Sequence, residues 1–217
     1  IDVGTNATTN LTLSSVIRNG GITKTGVGMV TLSGSAANTF TGMTTISGGT
    51  LVLNKTAGVD AIAGNITVAT GGLLDWNAAN QIADTANINL TGGTLKIDNF
   101  AETIGSLSQS LGTVNSSGST NSGIFTILGA LTVTGGQTIN LNSGGQWKVG
   151  SASFSGLTTA ISLNGNNNRL SLFTVDGDLT LTGQGISLSK GDADNALGSE
   201  LALTGNVTAS GTNAFNT

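Results

Sequence analysis

A short phrase of alternating apolar and small polar residues, closed by a glycine corner, recurs along this chain and constrains its fold more than any other feature. Residues 21–53 hold the clearest copy. The corners lie at Gly48, Gly71, Gly92, Gly135, Gly183 and Gly205. Three of the five intervals between successive corners are nearly equal, and the other two are each close to double that length. The corners therefore predict a unit of roughly 22 residues, a length typical of solenoid repeats.

Apolar residues hold fixed positions relative to these corners. Leu51 and Leu53 lie three and five residues after one corner, and Leu74 and Trp76 lie three and five residues after the next. Alternation with period two predicts short strands with one buried face, so we expect Trp76 to be buried in the column of Leu53. The second, longer period stacks equivalent residues in successive coils. We therefore predict an all-β fold, a right-handed parallel β-helix (β-solenoid) of about ten coils, as a single domain over residues 1–217.

The composition argues against several other classes of protein. Hydrophobic residues make up 37% of the chain and the net charge is only −4, a balance that argues against disorder. The 34 glycines come without proline, which excludes collagen, and there is no Cys for a disulfide framework. Only 7 residues are Lys or Arg, which argues against a nucleic-acid partner, and no apolar run has the length of a transmembrane helix. Without His, the charge is expected to change little between neutral and mildly acidic pH.

Two stretches and both ends depart from the repeat. Residues 115–123 contain no apolar residue and are predicted to form a loop that projects from one coil. Residues 164–168, NGNNN, are interpreted as a tight corner or part of an asparagine ladder. Neither end carries an amphipathic helix, a proline or a charge run that would cap a solenoid. We therefore expect either that the rod continues within a longer chain or that neighbouring copies stack end to end.

The clearest copy also carries a recognisable set of short motifs. They are KTGVG at 24–28, TLSG at 31–34, NTFTG at 38–42, TTI at 44–46 and GTL at 49–51. In these residues the chain resembles the autotransporter-associated β-strand repeat of bacterial surface proteins. That resemblance implies a right-handed parallel β-helix exported to the cell surface or beyond, in which members serve as stalks, adhesins or extracellular matrix. The repeat carries no catalytic motif, so the resemblance transfers no site residue.

An enzyme is the main alternative, because pectate lyases, polygalacturonases and phage tailspikes are also parallel β-helices. Their sites need two or three carboxylates on one face, often with Arg or Lys nearby. Asp176 and Asp178 have the spacing for one face of a strand, and Trp147, beside Lys148, is a candidate platform for a sugar ring. For the two aspartates a turn is the alternative, because turns favour Asp and Gly for backbone reasons. We favour the turn and predict no catalytic residues.

Asp192 and Asp194 alternate like the ligands of a calcium loop. The Gly and Glu positions that such a loop requires do not follow, since Glu200 is too close. A structural turn is therefore favoured, and no metal or other cofactor is predicted. The cations Lys24, Lys55 and Lys96 are interpreted as solvated charges at strand edges, where they discourage lateral aggregation.

These features together predict a non-enzymatic structural segment of an exported bacterial surface or extracellular β-helix protein, acting as a stalk, adhesin, or filament or matrix component. Its expected partners are its own copies end to end or flanking repeats of the same chain, with host or matrix glycans as further candidates. The alternative function is that of a carbohydrate-binding or carbohydrate-cleaving β-helix.

Overall fold

A computed structural model describes most of the chain: residues 10–98, 100–117, 123–135, 137–142, 144–156, 161–165, 170–183, 185–190, 198–211 and 215–216. Within these ranges there are twenty β-strands and no helix, and every strand pair is parallel. No helix in this part of the chain has the length and apolarity needed to cross a membrane. The all-β parallel solenoid predicted from the repeat is therefore confirmed.

The strands are short, and most contain three to seven residues. In chain order they are β1 (Asn10–Leu13), β2 (Ile22–Lys24), β3 (Met29–Gly34), β4 (Thr44–Ile46), β5 (Gly49–Lys55), β6 (Ile66–Val68), β7 (Gly72–Trp76), β8 (Asn87–Lys96), β9 (Glu102–Ile104), β10 (Ser106–Ser117), β11 (Ile124–Val133), β12 (Ile139–Asn142), β13 (Gln146–Ser155), β14 (Ile161–Gly165), β15 (Ser171–Val175), β16 (Leu179–Thr182), β17 (Ile186–Lys190), β18 (Ser199–Leu203), β19 (Val207–Ser210) and β20 (Phe215–Asn216).

Three parallel ladders form the sides of the solenoid. Ladder A joins β1, β3, β5, β7, the second parts of β8 and β10, and then β12, β14, β17 and β20. Ladder B joins β2, β4, β6, the first parts of β8 and β10, the second parts of β11 and β13, and then β16 and β19. Ladder C joins β9, the first parts of β11 and β13, and then β15 and β18. The long strands therefore turn a corner and serve two ladders each.

Measured along ladder B, the length of a coil is constant only from Ile22 to Ile88. On ladder B, Ile22 pairs with Thr44, Thr44 with Ile66, and Ile66 with Ile88, so these coils are equal in length. A side-chain link between two of them joins residues that are 22 residues apart in the chain. Between β16 and β19 the corresponding link joins residues that are 28 residues apart. The predicted unit of about 22 residues is confirmed for the first half and is too short for the last coils.

The same lengthening overturns the predicted equivalence of Gly205 and Gly183. The amide of Gly183 donates to the carbonyl of Ser210, 2.7 Å away, and β16 pairs with β19 in the same register. Gly211 therefore lies over Gly183, and Gly205 does not. Leu201 likewise lies on ladder C, opposite Phe173 of β15, and not over Leu179 on ladder B, as its distance from the corner predicted. The last coils therefore contain more residues than the first ones.

The core is a continuous column of aliphatic and aromatic side chains inside the three ladders. Inward residues alternate with outward ones, so β4, β6 and β9 each bury their first and last residue. Trp76 pairs with Leu53 on ladder A and is fully buried, which confirms the position predicted for it. Burial of this apolar surface is the main favourable term in the stability of the rod.

A glycine corner matters most where successive coils approach closely. Gly49 has φ of 62°, in the left-handed region that side chains rarely adopt. A Cβ atom there would collide with the carbonyl oxygens of Gly28 and Gly26 and with the Nζ atom of Lys24. The corner is therefore glycine because the main chain of the preceding coil occupies the space of a side chain.

The two interruptions are only partly described. Residues 115–117 belong to β10, so the predicted loop over 115–123 is wrong for its first three residues, and residues 118–122 lie outside the described ranges. Likewise 164 and 165 extend β14, whereas 166–168 lie outside them.

Candidate functional site

Asp176 and Asp178 lie at the corner between β15 and β16, outside any strand. The Asp176 Oδ2 atom is 3.1 Å from Lys148 Nζ, and both side chains are about half exposed, at 47% and 51%. Asp178 Oδ1 instead accepts hydrogen bonds from the main-chain and side-chain amides of Asn206, at 3.0 and 3.3 Å. The two carboxylates therefore bind neighbours in different coils, an arrangement that links coils and fits the turn interpretation.

Trp147 lies in the core, and the prediction of a surface platform for sugars is wrong. Its side chain is 1% exposed, and its indole nitrogen donates to Ser116 Oγ at 3.0 Å. The ring lies between Phe125 and Phe173 in one inward column of ladder C, with centroid distances of 4.8 and 6.4 Å. Such aromatic contacts stabilise a core beyond the area they bury, and neither ring face is free to stack on a sugar.

Asp192 and Asp194 lie outside the described residues, so the calcium-loop and turn interpretations both stay predictions for them. Among the residues that the structure describes, no group of three His, Cys, Asp or Glu side chains is placed to hold a metal ion.

Two of the three lysines interpreted as solvated edge charges are buried, which corrects that interpretation. Lys24 is 0% exposed, and its Nζ atom donates to the carbonyls of Thr25, Gly26 and Gly48 at 2.6, 2.7 and 3.0 Å. The contact with Gly48 joins one coil to the next. Main-chain carbonyls exposed at a glycine corner thus supply the acceptors that a buried ammonium group requires.

Lys55 is buried in a similar way at the end of β5, on ladder A. It is 2% exposed, and its Nζ atom donates to the carbonyls of Ser33 and Ala36 at 2.8 and 2.9 Å. Burial lowers the pKa of Lys55 from its ordinary value, because the charged form loses hydration. Lys96 alone fits the expected exposure: it is 40% exposed and forms ion pairs with Asp75 and Asp98 at 3.0 and 3.1 Å.

Glu102 is the most unusual ionisable group in the described chain, and the sequence prediction missed it. It begins β9 with its side chain inward and 1% exposed. Its Oε2 atom accepts hydrogen bonds from Trp76 Nε1 and the Gln81 amide, at 2.8 and 2.7 Å. Its Oε1 atom accepts from the amides of Thr103 and Ile82, at 3.1 and 3.4 Å. One carboxylate therefore joins its own coil to the preceding one, through Trp76 and residues 81–82.

Burial raises the pKa of Glu102 to about 7. Loss of hydration penalises the charged form, and the hydrogen bonds from Gln81, Trp76, Thr103 and Ile82 lower the pKa without cancelling that penalty. The chain therefore has a group that titrates in the neutral to mildly acidic range, although the absence of His led us to expect little change of charge there. The alternation of inward and outward residues in the segment ETI was the available signal, because it places Glu102 and Ile104 on the same inward face.

Other buried polar side chains in the first half of the rod make the same kind of contact. Asn38 accepts from the Ile17 amide at 2.9 Å and donates to the Ala61 carbonyl at 2.8 Å, which joins three coils. Gln81 accepts from the Lys55 amide at 2.7 Å. These polar groups are engaged with main-chain atoms of neighbouring coils, and so their chemistry is that of structural links.

Comparison with known proteins gives one match. Residues 22–53 match the family model of the passenger-associated-transport-repeat, over the segment that begins with β2 and includes β3, β4 and most of β5. No curated protein and no solved structure matches the chain. The family match confirms the resemblance to an autotransporter passenger repeat that the motifs of residues 21–53 predicted.

Proposed function

Starting from the passenger-type repeat in residues 22–53, we propose that this chain is a non-enzymatic structural segment of an exported bacterial protein. In this proposal it serves as a stalk, adhesive fibre, or filament or matrix component on the outer surface of the cell or beyond. The repeat and the parallel solenoid both fit an exported passenger segment. The finer role rests on what the buried polar groups do.

The observation that carries the structural role is the use of buried charges as links between coils. Lys24 binds the Gly48 carbonyl one coil away, and Lys55 binds carbonyls in and just after β3. Glu102 accepts hydrogen bonds from the amides of Gln81 and Ile82 in the preceding coil. An enzyme would keep such groups within reach of a substrate, whereas these are at most 2% exposed. They add to the ladder hydrogen bonds that run along the rod, and so they resist separation of the coils when the rod is pulled.

Extension of the rod by further coils is part of this proposal. Strand β19 is exposed along its whole length, so a coil that paired with it would bury it. That coil would come from flanking repeats of the same chain or from a second copy stacked end to end. Host or matrix glycans are the further class of partner that an adhesive fibre would bind.

Labelling of intact cells tests the export part of the proposal. An antibody raised against the 217-residue segment is applied to cells that produce the natural full-length protein, before and after permeabilisation. We expect equal labelling in both conditions, with a cytoplasmic protein as the control that labels only after permeabilisation. Labelling that required permeabilisation would overturn the surface location.

One observation favours a carbohydrate-active protein as the second candidate. The half-exposed ion pair of Asp176 and Lys148 places a carboxylate beside a cation at an open corner of the coil. Release of reducing or unsaturated sugars from polysaccharides by the purified segment tests this candidate. Release that is lost in Asp176→Asn and kept in Asp75→Asn, which alters an ion pair on ladder A, would overturn the non-enzymatic proposal.

A further inference from the structure

The corner just before β2 holds an asparagine–glycine pair at the surface of the rod. Asn19 and Gly20 lie outside any strand, and both are exposed. Asn19 has φ of 61° and Gly20 has φ of 62°, so the main chain is left-handed at both residues. Asn is one of the few residues that tolerate this conformation, and Gly adopts it without strain. A Cβ atom on Gly20 would meet no other atom within 4 Å, so the corner is open on its outer side.

The Gly20 amide is free to move toward the side chain that precedes it. Among the described residues, no hydrogen bond holds this amide or the side chain of Asn19. Asn80 is the useful contrast, because it also has a positive φ, of 50°. The amide that follows it belongs to Gln81 and donates to Glu102 Oε2 at 2.7 Å. The amide after Asn80 is therefore held in place, whereas the amide after Asn19 is not.

The same pair of residues occurs once more in the chain, within a strand. Asn164 and Gly165 end β14 and pair with Ser189 and Lys190 of β17. Pairing keeps the main chain extended, and a ring between the asparagine side chain and the glycine nitrogen could close only if this segment left the ladder. The chain therefore contains two asparagine–glycine sites that differ in the conformation of the main chain.

We propose that Asn19 is a site of spontaneous covalent modification, at which the asparagine converts to isoaspartate and aspartate. The Gly20 nitrogen forms a bond to Asn19 Cγ, the bond from Cγ to Nδ2 breaks, and the Gly20 amide proton leaves with Nδ2 as ammonia. Water then opens the succinimide ring. Hydrolysis at Cγ gives aspartate, whereas hydrolysis at the main-chain carbonyl carbon gives isoaspartate, in which the main chain runs through Cβ and Cγ. The reaction needs only water and does not depend on the proposed export.

The modification acts on the attachment of this corner to the next coil. The Ile17 amide donates to Asn38 Oδ1 and its carbonyl accepts from the Thr39 amide, both at 2.9 Å. The Gly20 carbonyl accepts from the Gly42 amide at 2.8 Å. Isoaspartate lengthens the main chain by one atom between these two anchors, so we expect them no longer to fit the next coil together. The rod would therefore weaken with age at one defined corner.

Peptide mapping of the purified 217-residue chain tests the reaction. The folded chain is incubated at neutral pH, digested with pepsin at acidic pH, where ring closure is slow, and analysed by mass spectrometry. An isoaspartyl methyltransferase then labels isoaspartate and leaves aspartate unlabelled. We expect Asn19 to react at least about tenfold faster than Asn164, a ratio that corresponds to about 1.4 kcal/mol for opening the ladder.

Two controls separate the effect of the fold from that of the dipeptide. In guanidinium chloride, where the ladders are lost, the two sites should react at similar rates because their local sequences both contain Asn followed by Gly. Asn19→Gly keeps a residue that adopts positive φ at the corner and cannot form the ring. This variant should fold like the unaltered chain and react only at Asn164.

Hydrogen exchange measured by mass spectrometry tests the loosening of the corner. The amides of Thr39 and Gly42 donate to the two anchors, so they should exchange at least about tenfold faster in a fraction of aged molecules equal to the isoaspartate fraction. Asn19→Asp carries the same added charge without the longer main chain, and it should exchange like the fresh chain.

Two results would overturn the proposal. One is a folded chain in which Asn164 reacts as fast as Asn19 or faster. The other is exchange at Thr39 and Gly42 that stays the same in fresh and aged chains, since the isoaspartate would then leave the anchors intact.

Discussion

Glu102 makes the stability of the rod depend on pH in a direction that the structure determines. Its pKa is about 7 in the folded chain and about 4.5 in the unfolded chain, where the carboxyl group is hydrated. Between these values the folded state holds a proton that the unfolded state has lost. Stability from this group is therefore full below about pH 4.5, falls as pH rises, and reaches its minimum above about pH 7.

The size of the effect follows from the difference between the two pKa values. One pKa unit corresponds to about 1.4 kcal/mol, so the folded chain should lose about 2.5 kcal/mol between about pH 5 and about pH 8 through this group alone. Glu102→Gln removes the titration. It also turns an amide toward N–H donors of Trp76, Gln81 or Thr103, which lowers stability by an amount that does not depend on pH.

Urea denaturation followed by tryptophan emission at several pH values measures both quantities. We expect the stability difference between the unaltered chain and Glu102→Gln to change by about 2.5 kcal/mol from pH 5 to pH 8, with the unaltered chain favoured at low pH. Glu200→Gln, at an exposed position on β18, is the control and should follow the unaltered chain. A difference that stays constant across this range would refute the assignment of the titration to Glu102.

Three further predictions concern the core and the corners. The lowered pKa of Lys55 means that the folded chain releases this proton at a lower pH than the unfolded chain, so the unaltered chain should gain stability as pH rises toward 10.5. Lys55→Met should lack this gain. Urea denaturation at several alkaline pH values measures the difference. Trp147→Ala should destabilise the rod by about 3–5 kcal/mol, because it removes a ring held between Phe125 and Phe173. Trp147→Phe should cost less stability. Equal losses of stability in urea titrations would contradict the stacking argument. Gly49→Ala should lower the melting temperature much more than Gly58→Ala. Both glycines have positive φ, but only Gly49 faces main-chain atoms of the previous coil. Equal losses would contradict this reasoning.

The ladders and the inward column could be predicted from the sequence because the alternation and the regular interval between corners are both visible in it. Trp76 was placed correctly for that reason: it shares its position after the corner with Leu53. The last coils were misaligned because they contain more residues than the unit of about 22 that the first coils follow. The pairing of β16 with β19 and the hydrogen bond from Gly183 to Ser210 reveal the longer coil there.

The buried charges show a different limit of sequence reasoning. The alternation of inward and outward residues places Lys55 inward after Leu51 and Leu53, and it places Lys24 inward after Ile22. Both were interpreted as solvated charges at strand edges, where they would discourage lateral aggregation. Burial of an unpaired charge is costly. What compensates that cost is a set of main-chain carbonyls, several of them at corners, and their orientation depends on how one coil stacks on another. No pattern within a single coil contains that information.

The equal coils of the first half also bear on how such a protein can change its length. Because Ile22, Thr44, Ile66 and Ile88 occupy equivalent places on ladder B, deleting residues 44–65 would join Met43 to Ile66 in the register that Thr44 now holds. A recombination event that removes or duplicates the codons of one coil would thus shorten or lengthen the rod by one strand spacing without shifting any ladder. An event of another size would shift strands against their neighbours, and one of odd size would turn inward residues outward. The fold therefore tolerates insertions and deletions of whole coils better than changes of any other size.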